Sequence, residues 1–549
     1  MPRHISRATT ALCLSMLLAA NGTLPAFAAS PQDALVTATP IKHLVVIFGE
    51  NESFDHYFGT YPNATNPPGE PAFTALPNTP SVNGLTPDLL NNNPNLNAAN
   101  GTGAANPFRL DRSQAHTASM NHAYGPEQAA FDAGRMDLFP KNTGAAGTGG
   151  TGVFNTKGLV MGYYDGNTVT ALWNYAQHFA MSDNSYSTNF GPSTPGAVNL
   201  ISGQTNGAIG FAASNGSNPT STINNIVADG QGGFTMYGDS DPHGDICSST
   251  TKPTTEMTGK NVGDLLNAAN ITWGWFQGGF DLTAVNANGT TGCQRSTSSP
   301  TVGGNVTDYS PHHQPFQYYA STRNLSHTRP LNVASIGTSA DGGANHQYDI
   351  KDFVAAVQAG NFPSVSFLKA PAIQDAHPSN SDPLDEQTFV VNVINLLQQS
   401  PEWSSTAVIL AYDDSDGWYD HVQHVIHPSM SAQDQFTAPQ NCTPLPGTPG
   451  ALSTPLPGLN GQPVQGRCGY GPRQPLLVIS PYAKANFVDH TLTDQSSILR
   501  FIEDNWLKGQ RIGQGSFDAM AGTINNMFDF SQTPTRKLIL DPNTGLPKS

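Results

Sequence analysis

Apolar positions along the chain are concentrated in four short runs that predict strands. These runs cover residues 43–48, 364–368, 407–412 and 475–480. Unbroken apolar runs of this length are typical of strands buried on both faces, and each run leads into polar residues. Apolar residues recur with helical spacing in residues 128–138, 170–179, 384–399 and 495–506. Strands that alternate with helices predict an α/β sheet.

Four long polar stretches show little periodicity and predict surface loops or insertions. They cover residues 62–106, 142–151, 214–225 and 439–466. Ligands of open α/β sheets bind at the carboxyl ends of the strands. The residues that directly follow the apolar runs are therefore the first place to look for chemistry.

The amino-terminal residues predict an export signal rather than part of the fold. Arg3 and Arg7 precede an apolar run at residues 11–20, and Ala26-Phe27-Ala28 follows it. This pattern predicts a secretory signal peptide at residues 1–28, with an amino-terminal anchor helix as the alternative. No later apolar stretch reaches the ~18 residues that a membrane span requires. We therefore expect a periplasmic or secreted protein whose mature chain has no transmembrane segment.

The charge balance argues against one class of function. The chain has 24 Lys and Arg against 40 Asp and Glu, a formal net charge of −16, and no basic run of five residues. Nucleic acids are bound through clusters of positive charge. We therefore expect no nucleic-acid partner.

Cysteine usage agrees with export. Cys13 lies in the expected signal peptide, and four cysteines remain after it. An even number in an oxidising compartment indicates two disulfides, for which three pairings are possible. We expect Cys247–Cys293 and Cys442–Cys468, because each pair brackets a loop rich in Gly, Pro and Ser. A zinc site is disfavoured because the chain has no Cys-x-x-Cys pair.

Two of the apolar runs are followed by residues that suit a hard cation. Glu50 and Asn51 follow the first run, and Asp413 and Asp414 follow the third. Adjacent carboxylates at a buried strand end repel each other unless a cation or protons compensate them. Three alternatives stay open: a turn-capping loop around Asn51, a solvated acidic turn at Asp413, and a calcium turn without catalysis. The last lacks the acid that an EF-hand loop needs at its first position.

A serine at a predicted helix start is a candidate nucleophile. Residues 191–196 read Gly-Pro-Ser-Thr-Pro-Gly and precede an apolar run, which predicts Ser193 as the N-cap of a short helix that stops at Gly203. Most N-cap serines only cap. The same position also offers free backbone N–H groups and the positive end of the helix dipole, which favour a phosphate oxygen.

Histidines supply the remaining candidates. They are His122, His312, His313 and His377. In their cationic form histidines can hold phosphate oxygens or protonate a leaving group. Each of them taken alone is equally compatible with a surface histidine that only forms hydrogen bonds.

Together these segments resemble the bacterial phosphoesterase family, which contains the acid phosphatase A enzymes and the haemolytic and non-haemolytic phospholipases C. The similarity is carried by residues 50–59, 191–195 and 413–421, and it extends from about residue 41 to residue 506. The resemblance implies an alkaline-phosphatase-like fold with a central, mostly parallel sheet, flanking helices and long loop insertions.

The resemblance also implies a site and an activity. The implied ligands of one divalent metal ion of unknown identity are Glu50, Asn51, Ser193, Asp413 and Asp414. The implied catalytic residues are Ser193, His122, His312, His313 and His377. Oxygen ligands suit Ca²⁺, Mg²⁺ or Mn²⁺, without excluding Fe or Zn.

The branch of the family is indicated by its departures from the phospholipase C pattern. Phospholipase C members typically carry a Thr nucleophile in a Gly-Pro-Thr-x-Pro-Asn-Arg turn and an Asp-Glu pair, whereas this chain has Ser193, Gly196 and Asp413-Asp414. It resembles the acid phosphatase A branch, which implies hydrolysis of phosphomonoesters through a phosphoserine.

Two alternatives remain for the function. One is a phospholipase C that recognises phospholipid head groups and cleaves phosphatidylcholine-type phosphodiesters to diacylglycerol. The other, from a different class, is a secreted metal-binding or adhesive module without turnover.

The spread of the implied ligands along the chain bears on its domain organisation. At ~150 residues per domain, the 549 residues would allow three or four domains. The five implied metal ligands lie between residues 50 and 414, and they must all meet at one ion. We therefore expect one large catalytic domain at residues 29–549, with insertions.

Overall fold

All four apolar runs form strands. A computed structural model describes residues 31–148, 150–422, 424, 426–428 and 442–548. The predicted signal peptide lies outside the described residues. The strands are β1 (His43–Gly49), β2 (Phe108–Arg109), β3 (Gly162–Tyr163), β4 (Ala180–Ser182), β5 (Ser185–Tyr186), β6 (Ala208–Phe211), β7 (Ile226–Ala228), β8 (Phe234–Met236), β9 (Asp241–Pro242), β10 (Thr254–Met257), β11 (Trp273–Gln277), β12 (Ser296–Ser299), β13 (Gly304–Thr307), β14 (Gln347–Asp349), β15 (Val365–Lys369), β16 (Thr406–Tyr412), β17 (Leu476–Ile479), β18 (Phe487–Asp489) and β19 (Thr493–Asp494).

The largest sheet has eight strands in the order β14-β11-β15-β1-β16-β17-β4-β18. Strands β14, β11, β15, β1 and β16 run parallel to one another. Only β17 runs against both of its neighbours. Every residue of β1 and β16 is buried, which agrees with their unbroken apolar sequences. The predicted α/β class with a mostly parallel sheet is confirmed.

Strand register decides which side chains meet at the carboxyl edge of this sheet. Gly49, the last residue of β1, pairs with Tyr412, the last residue of β16. On the other side of β1, Ile47 pairs with Leu368 of β15. Chain segments leaving β1, β16 and β15 therefore emerge side by side. Strand β17 is antiparallel, so the polar residues after it leave from the opposite edge.

Helices cover the sheet. They are α1 (Phe54–Phe58), α2 (Pro87–Asn91), α3 (Tyr124–Phe131), α4 (Phe139–Asn142), α5 (Thr170–His178), α6 (Ser193–Ser202), α7 (Val262–Ala268), α8 (Ile350–Gln358), α9 (Pro383–Gln399) and α10 (Gln495–Trp506). Helix α5 packs on α9 and on β4 and β17, α8 packs on β11 and β14, and α6 packs on α10. A large apolar core joins the strands of the sheet to these helices.

One predicted helix is wrong in its position. The apolar spacing at residues 128–138 predicts a helix there, but α3 ends at Phe131. Asp132 and Ala133 adopt positive φ angles of 47° and 54°, which an α-helix cannot contain. Phe131 and Met136 are still buried, so their spacing reflects core packing of an irregular segment. The other three predicted helices are confirmed as α5, α9 and α10, and the polar stretch at 62–106 contains the short α2.

Two disulfides fix loops outside the sheet. They join Cys247 to Cys293 and Cys442 to Cys468, the pairs expected from the loops that they bracket. Among the described residues, no helix combines the length and the apolar character needed to cross a membrane.

Candidate active site

The carboxyl edge of the central sheet collects charged side chains from three neighbouring strands. Glu50 and Asn51 follow β1, Asp413 and Asp414 follow β16, and Lys369 is the last residue of β15. All five are buried. Strands β15, β1 and β16 are parallel neighbours whose carboxyl ends are adjacent, so the residues that follow them meet directly at this edge.

Helix α6 brings the serine to this edge. Ser193 is the first residue of the helix and Pro192 is its N-cap, so the predicted N-cap role of Ser193 is wrong by one position. The helix ends as predicted, at Gly203, whose φ is 58°. The backbone N–H of Thr194 donates to Asp239 Oδ1 at 2.9 Å, so the helix start is not left with all its N–H groups free.

Glycine allows this helix to lie close to the acidic segment. A Cβ on Gly196 would lie 2.0 Å from the carbonyl oxygen of Asp413, a distance that no side chain tolerates. Gly191, which starts the turn, has a φ of 116°, a conformation that favours glycine. The approach of α6 to the segment after β16 therefore requires Gly196, and the conformation of the turn favours Gly191.

The hydroxyl of Ser193 points at two carboxylates. Its Oγ lies 3.0 Å from Asp414 Oδ2 and 3.2 Å from Glu50 Oε2. A hydroxyl has one proton to donate, so it can satisfy only one of these acceptors at a time. The second carboxylate oxygen then faces the lone pairs of the Ser193 oxygen, which is repulsive. A cation between Ser193, Asp414 and Glu50 would remove this repulsion.

The donor set fits a hard divalent cation. Ligand atoms of Glu50, Asp413 and Asp414 all lie within 4.8 Å of one another. The side-chain oxygen of Asn51 is buried and has no hydrogen-bond partner among the residues that the structure describes. Its amide nitrogen donates to Asp416 Oδ1 at 3.0 Å, which fixes the rotation of the amide group. Carboxylate, amide and hydroxyl oxygens are the ligands such ions prefer.

The pKa values of the clustered carboxyl groups are shifted by burial and by their mutual repulsion. Burial, which outweighs the attraction of His122, raises the pKa of Asp414 well above its usual range. Burial and the charge of Glu50 raise the pKa of Asp413 to about 6. Burial acts in the same direction on Glu50, but the attraction of Lys369, the hydrogen bond with Asp413 and the attraction of His377 together lower the pKa of Glu50. These carboxylates need positive charge beside them to be ionised together.

The four predicted histidines surround this cluster. His313 Nδ1 lies 3.0 Å from Glu50 Oε1, and the rings of His312 and His313 are in edge contact with centroids 4.3 Å apart. The rings of His122 and His377 are in edge contact, with centroids 6.2 Å apart. His313 is almost fully buried, whereas the side chains of His122 and His312 are 15% and 30% exposed and can meet a ligand from solvent.

Carboxylates hold two of these histidines in the cationic form. His122 Nδ1 lies 3.1 Å from Asp416, and His312 Nδ1 lies 3.4 Å from Asp241. Burial lowers the pKa of His122, but Asp414 and Asp416 raise it well above that of a free imidazole. Burial likewise opposes charge on His312, yet the hydrogen bond with Asp241 raises its pKa to about 9.

The remaining buried histidine is neutral. Burial, His312 and Lys369 together hold the pKa of His313 well below its usual value. The site therefore combines two cationic imidazoles near solvent with one neutral imidazole behind them.

All nine residues selected from the sequence lie in this one site, and three further residues belong to it. Lys369, Asp416 and Asp241 were not selected. Lys369 directly follows the predicted strand at 364–368, and Asp416 lies two residues after Asp414, so position after a strand end was an available signal for both. Asp241 lies on a short strand with no such signal.

Two other acidic clusters among the described residues are already neutralised by protein groups. Asp55 and Asp420 both contact the buried guanidinium of Arg473, at 3.0 and 3.1 Å. Asp245 accepts from His327 at 3.1 Å, and its neighbour Cys247 is in a disulfide. Neither cluster has the character of an open site.

Comparisons with known proteins agree with the geometry. A sequence model described as the Phosphoesterase family matches residues 41–507. The non-hemolytic phospholipase C of Pseudomonas aeruginosa is 24% identical over 498 residues, which cover 89% of this chain and 57% of that protein. Phospholipase C A of Mycobacterium tuberculosis is 24% identical over 529 residues, which cover 93% of this chain and 82% of that protein.

The similarity to solved structures is weak. Murine ectonucleotide pyrophosphatase/phosphodiesterase 5 aligns with 66% of this chain and 95% of its own, at a TM-score of 0.28 and 11% identity.

Proposed function

The chain belongs to the Phosphoesterase family, and on that premise we propose that it is a metal-dependent phosphoric ester hydrolase that uses Ser193 as its nucleophile on phosphomonoesters. The observation that carries the proposal is the position of Ser193 Oγ, 3.0 and 3.2 Å from two carboxylates of a buried cluster that fits a divalent cation. An ordinary helix-capping serine would instead bond to its own helix, and Ser193 makes no such bond.

Each part of the site has a role in phosphoryl transfer. A divalent cation held by Glu50, Asn51, Asp413 and Asp414 would lower the pKa of a neighbouring hydroxyl and offset the charge of the phosphoryl oxygens. Ser193 attacks phosphorus in line with the departing alcohol, and Asp414 Oδ2 is the nearer carboxylate acceptor for its proton. The resulting phosphoserine is then hydrolysed by water.

The histidines hold and neutralise the substrate. His122 and His312 are cationic at acidic and neutral pH and partly exposed, so they suit the two negative charges of a phosphomonoester. One of them would protonate the departing alkoxide. Positioning and charge neutralisation supply most of the rate enhancement in this chemistry.

Phospholipase C activity is the second candidate function, because both bacterial relatives described above carry that name. The chain spans 57% of the length of the Pseudomonas aeruginosa relative, so the activity of the whole relative is not transferred by similarity alone. Gly196 is a departure from the phospholipase C pattern that the packing of α6 requires. The Asn that typically occupies its place in phospholipases C would bring a Cβ to 2.0 Å from the carbonyl oxygen of Asp413.

Export is part of the proposal. An enzyme with the predicted signal peptide would act outside the cytoplasm, where the two disulfides are stable. Its substrates there would be soluble phosphomonoesters or, for the second candidate, phospholipid head groups.

The test combines a variant with a substrate pair. Ser193→Ala should abolish hydrolysis of p-nitrophenyl phosphate and leave the melting temperature nearly unchanged. Acid-quenched enzyme should carry phosphate from labelled substrate in the wild type and none in the variant. Ser298→Ala, at an exposed serine of the β12–β13 hairpin, is the matched control and should behave as wild type.

Substrate preference separates the two candidates. Initial rates on p-nitrophenyl phosphate and on phosphatidylcholine vesicles, at acidic and neutral pH, should favour the monoester at both. Faster release of diacylglycerol would replace the first candidate by the second. Full activity of Ser193→Ala would refute both mechanisms.

A further inference from the structure

Lys369 lies in the middle of the acidic cluster. It is the last residue of β15, its side chain is 1% exposed, and its Nζ contacts Glu50 Oε1 and lies 3.1 Å from Asp413 Oδ2. The carbonyl oxygen of Gly49 is a third acceptor, at 3.3 Å. An ammonium group has three N–H donors, so this set of partners satisfies it completely.

The carboxylate of Glu50 faces two different positions. Its Oε2 faces Ser193 Oγ at 3.2 Å, on the side where Asp414 and Asn51 complete the metal-binding set. Its Oε1 faces Lys369 and, at 3.0 Å, the Nδ1 of His313. Glu50 therefore separates one position that fits a divalent cation from another that is taken by the ammonium.

A second set of ligands surrounds the ammonium side. Ligand atoms of Glu50, His313 and Asp375 all lie within 4.8 Å of one another, and the three residues are buried. His313 Nε2 and Asp375 Oδ2 have no hydrogen-bond partner among the described residues. Asp375 is held against the cluster because its carbonyl oxygen accepts the N–H of Glu50 at 2.9 Å.

Charge counting shows why a cation is needed on this side. Glu50, Asp413, Asp414 and Asp375 bring four buried carboxyl groups together, which carry four negative charges when all of them are ionised. One divalent cation offsets two of them, and the cost of burying the rest without partners is severe. Lys369 supplies the next positive charge from within the chain.

We propose that Lys369 is a built-in cation that limits this site to a single divalent ion, because its ammonium fills the place that a second ion would take between Glu50, His313 and Asp375. The inference rests on the proposed function, since it takes the first divalent ion as bound beside Ser193. Removal of the ammonium leaves three ligands around an uncompensated pocket, which then accepts a second ion.

Metal stoichiometry, measured without any substrate, tests this. The wild-type protein, freed of metal and titrated with Mn²⁺, should bind one equivalent and give the electron paramagnetic resonance spectrum of an isolated ion. Lys369→Met, which keeps the length of the side chain without its charge, should bind two equivalents and give the spectrum of an exchange-coupled pair.

Three variants serve as controls. Lys369→Arg keeps the charge and should still bind one ion. Lys351→Met removes a half-exposed surface lysine and should also bind one. Asp375→Asn added to Lys369→Met should return the stoichiometry from two to one, because it removes a ligand of the second position only.

The outcomes distinguish a failure of the proposed role of Lys369 from a failure of the proposed function. Two Mn²⁺ in the wild type, or one in both the wild type and Lys369→Met, would overturn the role of Lys369 and leave the proposed function intact. No Mn²⁺ in the wild type would remove the cation from the proposed function, and this inference with it. If Lys369→Met does not fold without metal, Lys369→Gln, which also removes the charge, replaces it in the titration and should bind two equivalents.

Discussion

At the scale of single residues, the site is organised by carboxylates that contact its other side chains. Asp416 accepts the amide N–H of Asn51 at 3.0 Å, contacts His122 at 3.1 Å and accepts the backbone N–H of Met120 at 2.8 Å. It therefore orients one metal-binding group and one phosphate-binding group at once. Asp241 has only one such contact, with His312 at 3.4 Å.

This difference gives a paired prediction. Asp416→Asn should weaken both metal binding and substrate binding, because an amide cannot accept hydrogen bonds at both of its heavy atoms. Partners of this kind are typically worth ~10–100-fold in metal affinity. Asp241→Asn should raise KM while leaving metal affinity unchanged. Calorimetric titration with Mn²⁺ and steady-state kinetics measure the two effects, and equal metal affinities in both variants would contradict the role of Asp416.

Residue types and their order along the chain were enough to select nine groups that the fold brings to one site. They were not enough to select Lys369, Asp416 or Asp241, because a lysine or aspartate near a strand end is common in any sequence. What distinguishes Lys369 is strand order: β15 lies directly beside β1, and only the folded sheet shows that. The predicted N-cap of α6 was wrong by one residue. Pro192 is the N-cap, and Ser193 bonds to carboxylates of the site instead of capping the helix.

At the scale of elements, Glu503 in the last turn of α10 and Asp518, which follows the helix, are a pair of acids that share one donor. Ile512 N–H lies 3.2 Å from Glu503 Oε1 and 2.8 Å from Asp518 Oδ2, and Arg511 contacts the other oxygen of Glu503 at 3.0 Å. Burial and the hydrogen bond with Asp518 raise the pKa of Glu503 from 4.5 to about 9. In the folded protein, Glu503 therefore keeps its proton at neutral pH.

The shift determines a pH dependence of stability. Between pH 4.5 and pH 9 the folded state binds a proton on Glu503 that the unfolded state does not, so stability falls as pH rises through this window. Glu503→Gln does not titrate, and its melting temperature should fall less than that of the wild type between pH 5 and pH 9. Asp504→Asn, which removes the other carboxylate that contacts Arg511, is the control. Parallel curves for wild type and Glu503→Gln would contradict the raised pKa.

Elements with unbroken or strictly periodic apolar patterns were predictable, and they are the ones that build the central sheet and its covering helices. The failure at residues 128–138 has a local cause. Three successive residues with positive φ, Asp132, Ala133 and Gly134, end α3. The glycine was an available signal for a helix end, but the apolar spacing continues past it. The antiparallel direction of β17 was equally hidden, because an apolar run has the same pattern in either direction.

At the scale of the whole molecule, we propose that residues 29–549 act as one catalytic domain. The groups that face the ion come from β1, α6 and β16, whose positions span more than half of the chain, and all three elements join the same apolar core. Long insertions lie between these elements without separating them; the disulfide Cys247–Cys293 closes a loop between α6 and β16, and Cys442–Cys468 closes one after β16.

The domain proposal predicts that the protein unfolds in one step and that metal stabilises all of it. Scanning calorimetry should show a single transition whose calorimetric and van't Hoff enthalpies agree. Mn²⁺ at 100 times its Kd should add about 2.7 kcal/mol to the free energy of unfolding and move the entire transition upward, and a chelator should reverse the shift. Because Glu50, Ser193 and Asp414 belong to one core, no part of the trace should be insensitive to the ion. Two transitions, only one of which responds to the chelator, would show instead that part of the chain folds independently of the site.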